Sequence, residues 1–296
     1  MTDLKHLHPG VREKIDLCEA DKINFVRQSR WICYTTAHSI LEKLEDLVTH
    51  PIVDRMPGLL IIGKPNNGKT QLVRRFCANH SPDINLEGEH INAPVLFCEA
   101  PPSPNEYEFY GQILRSLYER VPNTSRDARR DRVIEVLKAV QNKVLIIDEL
   151  HNILAGSSTK QHQFLNMIKF LCNTLKISIV GCGTEDLKRA IRVDPQIESR
   201  FTHCLLPSWK SGNDFKRLLK SFENILPLRL PSNLASDKLS KKILFLTDGL
   251  IGEVSLLLNS ATIYCIRNDL DAIDESVISM CDYQPPRTKK EELVNF

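Results

Sequence analysis

One string of residues limits what this chain can fold into more than any other: Gly63-Lys64-Pro65-Asn66-Asn67-Gly68-Lys69-Thr70, which matches GxxxxGK[ST]. It follows the apolar run LLIIG at 59–63 and leads into QLVRRFCANH, so the text reads strand, glycine-rich turn, helix. Glycines let the backbone turn until successive N–H groups and the helix N-terminus face one point, where phosphate oxygens bind. Lys69 then places a cation near the β and γ phosphates, and the Thr70 hydroxyl is a ligand for Mg²⁺. The expected ATP-binding set is this loop together with Gln71.

A strand ending in such a loop needs neighbours. PVLFCEA at 94–100, KVLIIDE at 143–149, ISIVGCG at 177–183 and HCLLP at 203–207 supply them, alternating with longer helical stretches. Strands apolar on both faces and separated by helices indicate a parallel sheet covered on both sides. The expected architecture is therefore α/β: a P-loop core with a five-stranded parallel sheet flanked by helices. Helical spacing of Ile15, Phe25, Trp31, Ile40, Leu44 and Leu47 marks N-terminal helices over 1–57; the core spans 58–210, a small helical lid 211–283, and a charged flexible tail 284–296.

With 42% hydrophobic and 26% charged residues, the composition excludes the disordered and membrane classes. A net charge of +2 gives no argument for nucleic acid, so any basic surface must be local. The nine cysteines form no CxxC pair and read as reduced thiols. Neither a signal-peptide core nor an apolar run of about 18 residues occurs, so the cytoplasm is expected and no membrane contact.

Four apolar residues and two acids, Val144 to Glu149, form the partner motif about eighty residues after the loop. A carboxylate ending a buried strand needs a counter-charge, and Mg²⁺ supplies it. Asp148 is expected to hold the metal through water, and Glu149 to orient or deprotonate the attacking water. Thr184, ending the fourth strand, is placed to reach the γ phosphate or that water; the alternative is an N-cap for the helix EDLKRAI. Arg200, just before the fifth strand, suits the γ phosphate of a neighbouring subunit, or else is a surface arginine. Basic and hydroxyl residues gather at Thr124, Arg126, Arg129 and Arg130, with Lys160 in a Ser/Thr-rich loop. They read either as DNA contacts or as a solvated helix face with local ion pairs.

With these motifs assembled, the chain resembles the TniB/TnsC family of transposon-encoded AAA+ ATPases over roughly residues 20–270. The segments that carry the resemblance are RMPGLLIIGKPNNGKTQLVRRF, DRVIEVLKAVQNKVLIIDELHNIL, IVGCGTEDLKRAI, DPQIESRFTHCLLPSW and TDGLIGEVSLLL, with Arg30-Trp31-Ile32 near the start. The resemblance implies an AAA+ core and an ATP-dependent regulator of DNA transposition. Such a protein oligomerises on double-stranded DNA as a ring or helical filament and links a TniQ-type target selector to a DDE transposase. It further implies ATP at subunit interfaces, with Arg200 matching the arginine that acts in trans. One departure stands out: many AAA+ lids place an arginine after the glycine of the lid's third helix, whereas here Gly252 is followed by Glu253. Two other readings compete: a nucleotide-gated scaffold with little turnover, and a helicase loader or initiator on the same core.

Overall fold

In the computed structural model, the residues described are 4–83, 91–123 and 125–286. The elements run α1 (Pro9–Arg12), α2 (Glu19–Arg27), α3 (Thr35–Thr49), β1 (Gly58–Gly63), α4 (Lys69–Asn79), β2 (Val95–Glu99), α5 (Glu106–Ser116), α6 (Arg126–Ala139) and β3 (Val144–Asp148). A 3-10 turn over Leu150–Ala155 follows, then α7 (Ser158–Leu175), β4 (Ser178–Gly183), α8 (Asp186–Arg192), α9 (Pro195–Glu198) and β5 (Phe201–Leu206). The chain closes through α10 (Asn213–Glu223), α11 (Asp237–Thr247), α12 (Ile251–Arg267) and α13 (Glu275–Met280). The tail expected from 284 lies outside the described residues beyond 286.

The chain divides into two compact units, one of Thr35–Leu206 and one built from the segments on either side of it. The helical preface is thus shared out: α1 and α2 join the C-terminal helices, and α3 joins the sheet.

In the sheet unit all five strands are parallel, in the order β2-β3-β4-β1-β5. Every residue of β1, β3 and β4 is buried, which is why these strands read as unbroken apolar runs. The edge strand β5 is exposed at Thr202, His203 and Leu205, and starts at Phe201, two residues before the run HCLLP. Leu60, Ile62, Leu145 and Ile147 pack in one core with Phe109, Ile113, Phe164 and Leu171 from α5 and α7. The Phe109 and Phe164 rings lie 5.3 Å apart. Because β4 lies between β1 and β3, the carboxyl ends of three chemically loaded strands are side by side, the place where open α/β sheets bind ligands.

The helical unit has its own core. Phe215, Leu218, Leu219 and Phe222 recur on one face of α10 and bury against Ile243 of α11, Leu257, Leu258 and Cys265 of α12, and Val277 of α13. Gly249, at φ +66°, makes the turn into α12; a side chain there would stand 2.2 Å from the Trp209 carbonyl, and Trp209 N–H donates to Gly249 O at 2.8 Å. Arg30 ties the N-terminal helices to this bundle. Its guanidinium donates to the carbonyls of Ile225 and of Val26 (3.2 Å) and to Asn259 Oδ1 (3.2 Å), and covers the Phe25 ring.

Arg30→Ala removes these charge-assisted bonds at once and should lower the unfolding free energy by about 3 kcal/mol. Urea unfolding checks this; a loss below about 0.5 kcal/mol would mean that solvent replaces the guanidinium.

Candidate functional site

The loop after β1 is shaped by its own chain. Asn66 (φ 58°) and Gly68 (φ 80°) adopt left-handed backbone, which asparagine and glycine tolerate best and which turns N–H groups into one concavity. Gly63 has no room for a side chain, because a Cβ would lie 2.9 Å from Leu206 O on β5. Buried Asn67 donates from Nδ2 to that same carbonyl at 2.7 Å, pinning the loop to the edge strand. Lys64, Pro65, Asn66 and Gln71 are exposed. Lys69, opening α4, is buried and folded back, with Nζ donating to Gly63 O (3.0 Å) and Lys64 O (2.9 Å). Burial pulls its pKa down, while the charges of Glu149, Asp148 and Cys182 act the other way.

At the end of β3, Asp148 is only 2% exposed, and both carboxylate oxygens are engaged. Oδ2 accepts from Thr70 Oγ1 at 2.7 Å and Oδ1 from the Glu149 N–H at 2.9 Å. Glu149 takes a left-handed φ of 53°, uncommon for a glutamate, and half-exposes its side chain. The chain then drops into the 3-10 turn, where Leu150 covers Gly181 of β4; a Cβ on that glycine would be 2.5 Å from Leu150 Cδ2. His151 Nδ1 stands 3.4 Å from Glu149 Oε2. Sequence reading did not single out this histidine; its one signal was the position two residues past the second acid.

Thr184 does not cap α8. The Leu187 N–H bonds to the Thr184 backbone carbonyl at 3.0 Å, and the hydroxyl oxygen is buried without a hydrogen-bond partner among the described residues. An orphaned hydroxyl beside the ends of β3 and β1 fits a site completed by a polar ligand. So do the loop's turned N–H groups, the Lys69 cation and the Thr70–Asp148 pair; together they suit a nucleotide phosphate with Mg²⁺.

Arg200 lies elsewhere. It precedes β5, its carbonyl accepting from Gly58 N–H at 2.9 Å, whereas the phosphate loop leaves the other end of β1. The β1–β5 register runs from Gly58 opposite Phe201 to Gly63 opposite Leu206, a span of about 17 Å at 3.3 Å per residue, longer than an arginine side chain. Arg200 rests on the end of α7, donating to Asn173 Oδ1 at 2.8 Å.

The basic group separates into two kinds. Arg129 turns inward: Nε donates to Pro122 O (2.8 Å), Nη1 to Tyr107 O (3.2 Å), and the guanidinium stacks 3.5 Å from the Tyr107 ring centre. Arg130 is held by Asp127 (3.1 Å) and Asp131 (3.0 Å). Arg126, paired loosely with Glu106 and Asp127 at 3.7 Å, remains mostly exposed. Arg126 and Lys160 line one open cleft of about 280 Å³ with Asn105, Glu106, Tyr107 and Gln163. Thr124 lies outside the described residues.

In the helical unit, Glu253 is buried on α12, its carboxylate accepting from the Tyr283 hydroxyl at 2.9 Å. Burial first, and then this carboxylate, push the Tyr283 pKa up. Among the described residues no single helix is long and apolar enough to cross a membrane.

The family profile described as Bacterial TniB protein matches residues 22–211. The chain is 23% identical over 205 residues to the ATP-dependent Clp protease ATP-binding subunit ClpL of Lactococcus lactis subsp. lactis, an alignment that takes in 63% of this chain and 25% of ClpL. It thus spans about a quarter of the length of that curated relative. Among solved structures, the Aeropyrum pernix ORC2 protein in its ADPNP-ADP complexes is similar at a TM-score of 0.61 and 15% identity, over 90% of this chain and 71% of that one. Cdc6p from Pyrobaculum aerophilum follows at 0.56 and 16%, over 86% and 68%. The Aeropyrum pernix ORC1 protein in complex with DNA stands at 0.56 and 14%, over 91% and 69%. At such identities the likeness is one of fold, that of a P-loop AAA+ ATPase.

Thr184→Val replaces a hydroxyl that bonds to nothing in the described chain. Its urea unfolding free energy should stay within about 0.5 kcal/mol of the parent, or rise. A loss near 1 kcal/mol is the signature of a helix cap and would return Thr184 to that role.

Proposed function

The chain belongs to the bacterial TniB family, and from that membership and the geometry of its site we propose that it is an ATP-hydrolysing, DNA-binding regulator of transposition. It assembles with ATP on double-stranded DNA as a ring or helical filament and connects a TniQ-type target selector to a DDE transposase. The observation that carries this reading is the division of the site: Lys69, Thr70, Asp148, Glu149 and Thr184 gather at the carboxyl ends of the strands, while Arg200 stands about 17 Å away at the amino end of β5. A chain with both halves at opposite ends of one sheet completes its site with a neighbour.

ATP supplies the γ-phosphoryl group, and Mg²⁺ the charge that offsets its oxygens. The residues divide the remaining work. Gly63 to Gln71 bind phosphate through backbone N–H groups, with Lys69 as the fixed cation. Thr70 would hold Mg²⁺ through its hydroxyl, and Asp148 would hold it through water. Among the described residues no three His, Cys, Asp or Glu side chains form a metal site. Glu149 accepts the proton of the attacking water, and Thr184 orients that water or the γ phosphate. Arg200 stabilises the charge that grows on the neighbour's transferred oxygens.

For DNA, Arg126 and Lys160 are the phosphate contacts that the cleft supports, and Thr124, two residues before Arg126 in the sequence, joins them. Arg129 is bound to Pro122 and Tyr107 and Arg130 to acids of its own helix, and neither is assigned to the phosphates. A second reading, a nucleotide-gated scaffold with slow turnover, is favoured by Glu253: where many lids carry an arginine, this carboxylate binds Tyr283 inside its own unit. The helicase-loader reading rests on fold alone.

Mixing Arg200→Ala with Lys69→Ala tests the division of the site. Lys69→Ala should lose ATP binding; Arg200→Ala should bind ATP normally yet hydrolyse it about 10³-fold more slowly. A one-to-one mixture should regain activity, because some interfaces pair an intact loop with an intact arginine. A mixture that co-assembles and stays inactive removes Arg200 from the neighbour's site.

Each lost phosphate contact lowers the log-log salt slope of DNA affinity by about 0.9, so Arg126→Ala/Lys160→Ala should flatten it by about 1.8. Arg129→Ala should lower stability and leave the slope unchanged. An unaltered slope in the double variant, measured by fluorescence anisotropy on duplex DNA, takes the cleft out of the DNA surface.

A further inference from the structure

Glu149 stands on left-handed backbone with its side chain half in solvent, an arrangement that leaves a carboxylate free to swing. A general base must instead be held within hydrogen-bond reach of the proton it takes. Asp148 cannot do the holding: a second carboxylate has no proton to donate, and its oxygens already accept from Thr70 and from the Glu149 N–H. His151 is built differently. The 3-10 turn brings its Nδ1 to 3.4 Å from Glu149 Oε2, and among the described residues Glu149 is the acid within ion-pair reach of it. Nδ1 is buried and makes no formed hydrogen bond there, so a small closing movement of the carboxylate would satisfy it. Gly183 of β4 lies beside the ring, where a Cβ would stand 3.1 Å from Nδ1; the missing side chain makes space for the imidazole.

We infer that His151 is the positioning residue for Glu149: Nδ1–H donates to Oε2, fixes the carboxylate against the strand ends, and leaves the other oxygen to take the proton from water. The tautomer follows from this bond, with Nδ1 protonated. Asp148 fixes the Glu149 backbone, and His151 its side chain. The inference rests on Glu149 being the base. The competing role for the ring is packing over Gly183 and the turn.

Two substitutions separate donor from bulk. His151→Asn keeps an N–H near the Nδ1 position and loses the ring; His151→Phe keeps the ring and loses the donor. In the full chain with duplex DNA, His151→Phe should lower kcat by about 10- to 100-fold with the KM for ATP and the nucleotide Kd unchanged, while His151→Asn stays within about threefold of the parent. The reverse order would assign His151 to packing and overturn the inference. A readout without turnover comes from ¹⁵N-histidine NMR of the nucleotide-free protein: the His151 Nδ1 resonance should move in Glu149→Gln, and an unmoved resonance counts against the bond. Glu149→Gln also separates the two failures. If it hydrolyses ATP at the parent rate, the base assignment itself falls; if it is inactive while His151→Phe is not, only the role of His151 falls.

Discussion

A 2.7 Å hydrogen bond from Thr70 Oγ1 to Asp148 Oδ2 joins stretches of chain 78 residues apart, and the geometry of the phosphate-facing end depends on it. It ties α4, the helix that follows β1, to the end of β3, with β4 lying between the two strands in the sheet. Asp148 is almost wholly buried, so its carboxylate is tolerable only with donors on both oxygens. One donor is Thr70, which sets the first turn of α4 against the sheet. The other is the N–H of Glu149, which holds that residue in left-handed backbone and throws the chain into the turn that carries His151. One buried acid thereby fixes the bearing of three further side chains.

Lys69 meets the same constraint with the opposite sign. A buried ammonium is stabilised by what surrounds it or not at all. Here two loop carbonyls accept hydrogen bonds from it, and the field of Glu149 and Asp148 works against the burial that would discharge it. With Asn67 anchored on β5, the loop's shape is held by its own bonds.

The sequence disclosed what rests on local chain chemistry. The phosphate loop, the acids ending β3 and the parallel sheet could all be read, because a buried strand must be apolar on both faces and a phosphate loop needs its glycines at set positions. The roles of individual polar side chains could not. Arg126, Arg129 and Arg130 carry one chemistry and sit within one turn, yet Arg129 faces inward because α5 brings Tyr107 beneath it, a fact of tertiary packing. The Asp127 and Asp131 partners of Arg130 were visible in RDARRDR as the ordinary pattern of a helix surface. Glu253 stands where many AAA+ lids carry an arginine; its partner Tyr283 is 30 residues away, and nothing local announces it. For Thr184 the sequence is equally consistent with a helix cap, which only the carbonyl bound to the Leu187 N–H sets aside.

The edge strand β5 explains why hydrolysis and assembly would be one property on the proposed reading. At its carboxyl end, Leu206 O receives Asn67 from the phosphate loop; at its amino end, Arg200 O receives the N–H of Gly58. The same strand therefore braces the site that a chain owns and the arginine that it lends. Paired along its length with the fully buried β1, it cannot shift at one end without breaking ladder bonds at the other. The distance between loop and arginine is then a fixed dimension of the chain. A neighbour places its phosphate site against Arg200 only by stacking at the repeat which that dimension allows, so an interface built with the wrong offset would lack its arginine, and hydrolysis would report on correct assembly.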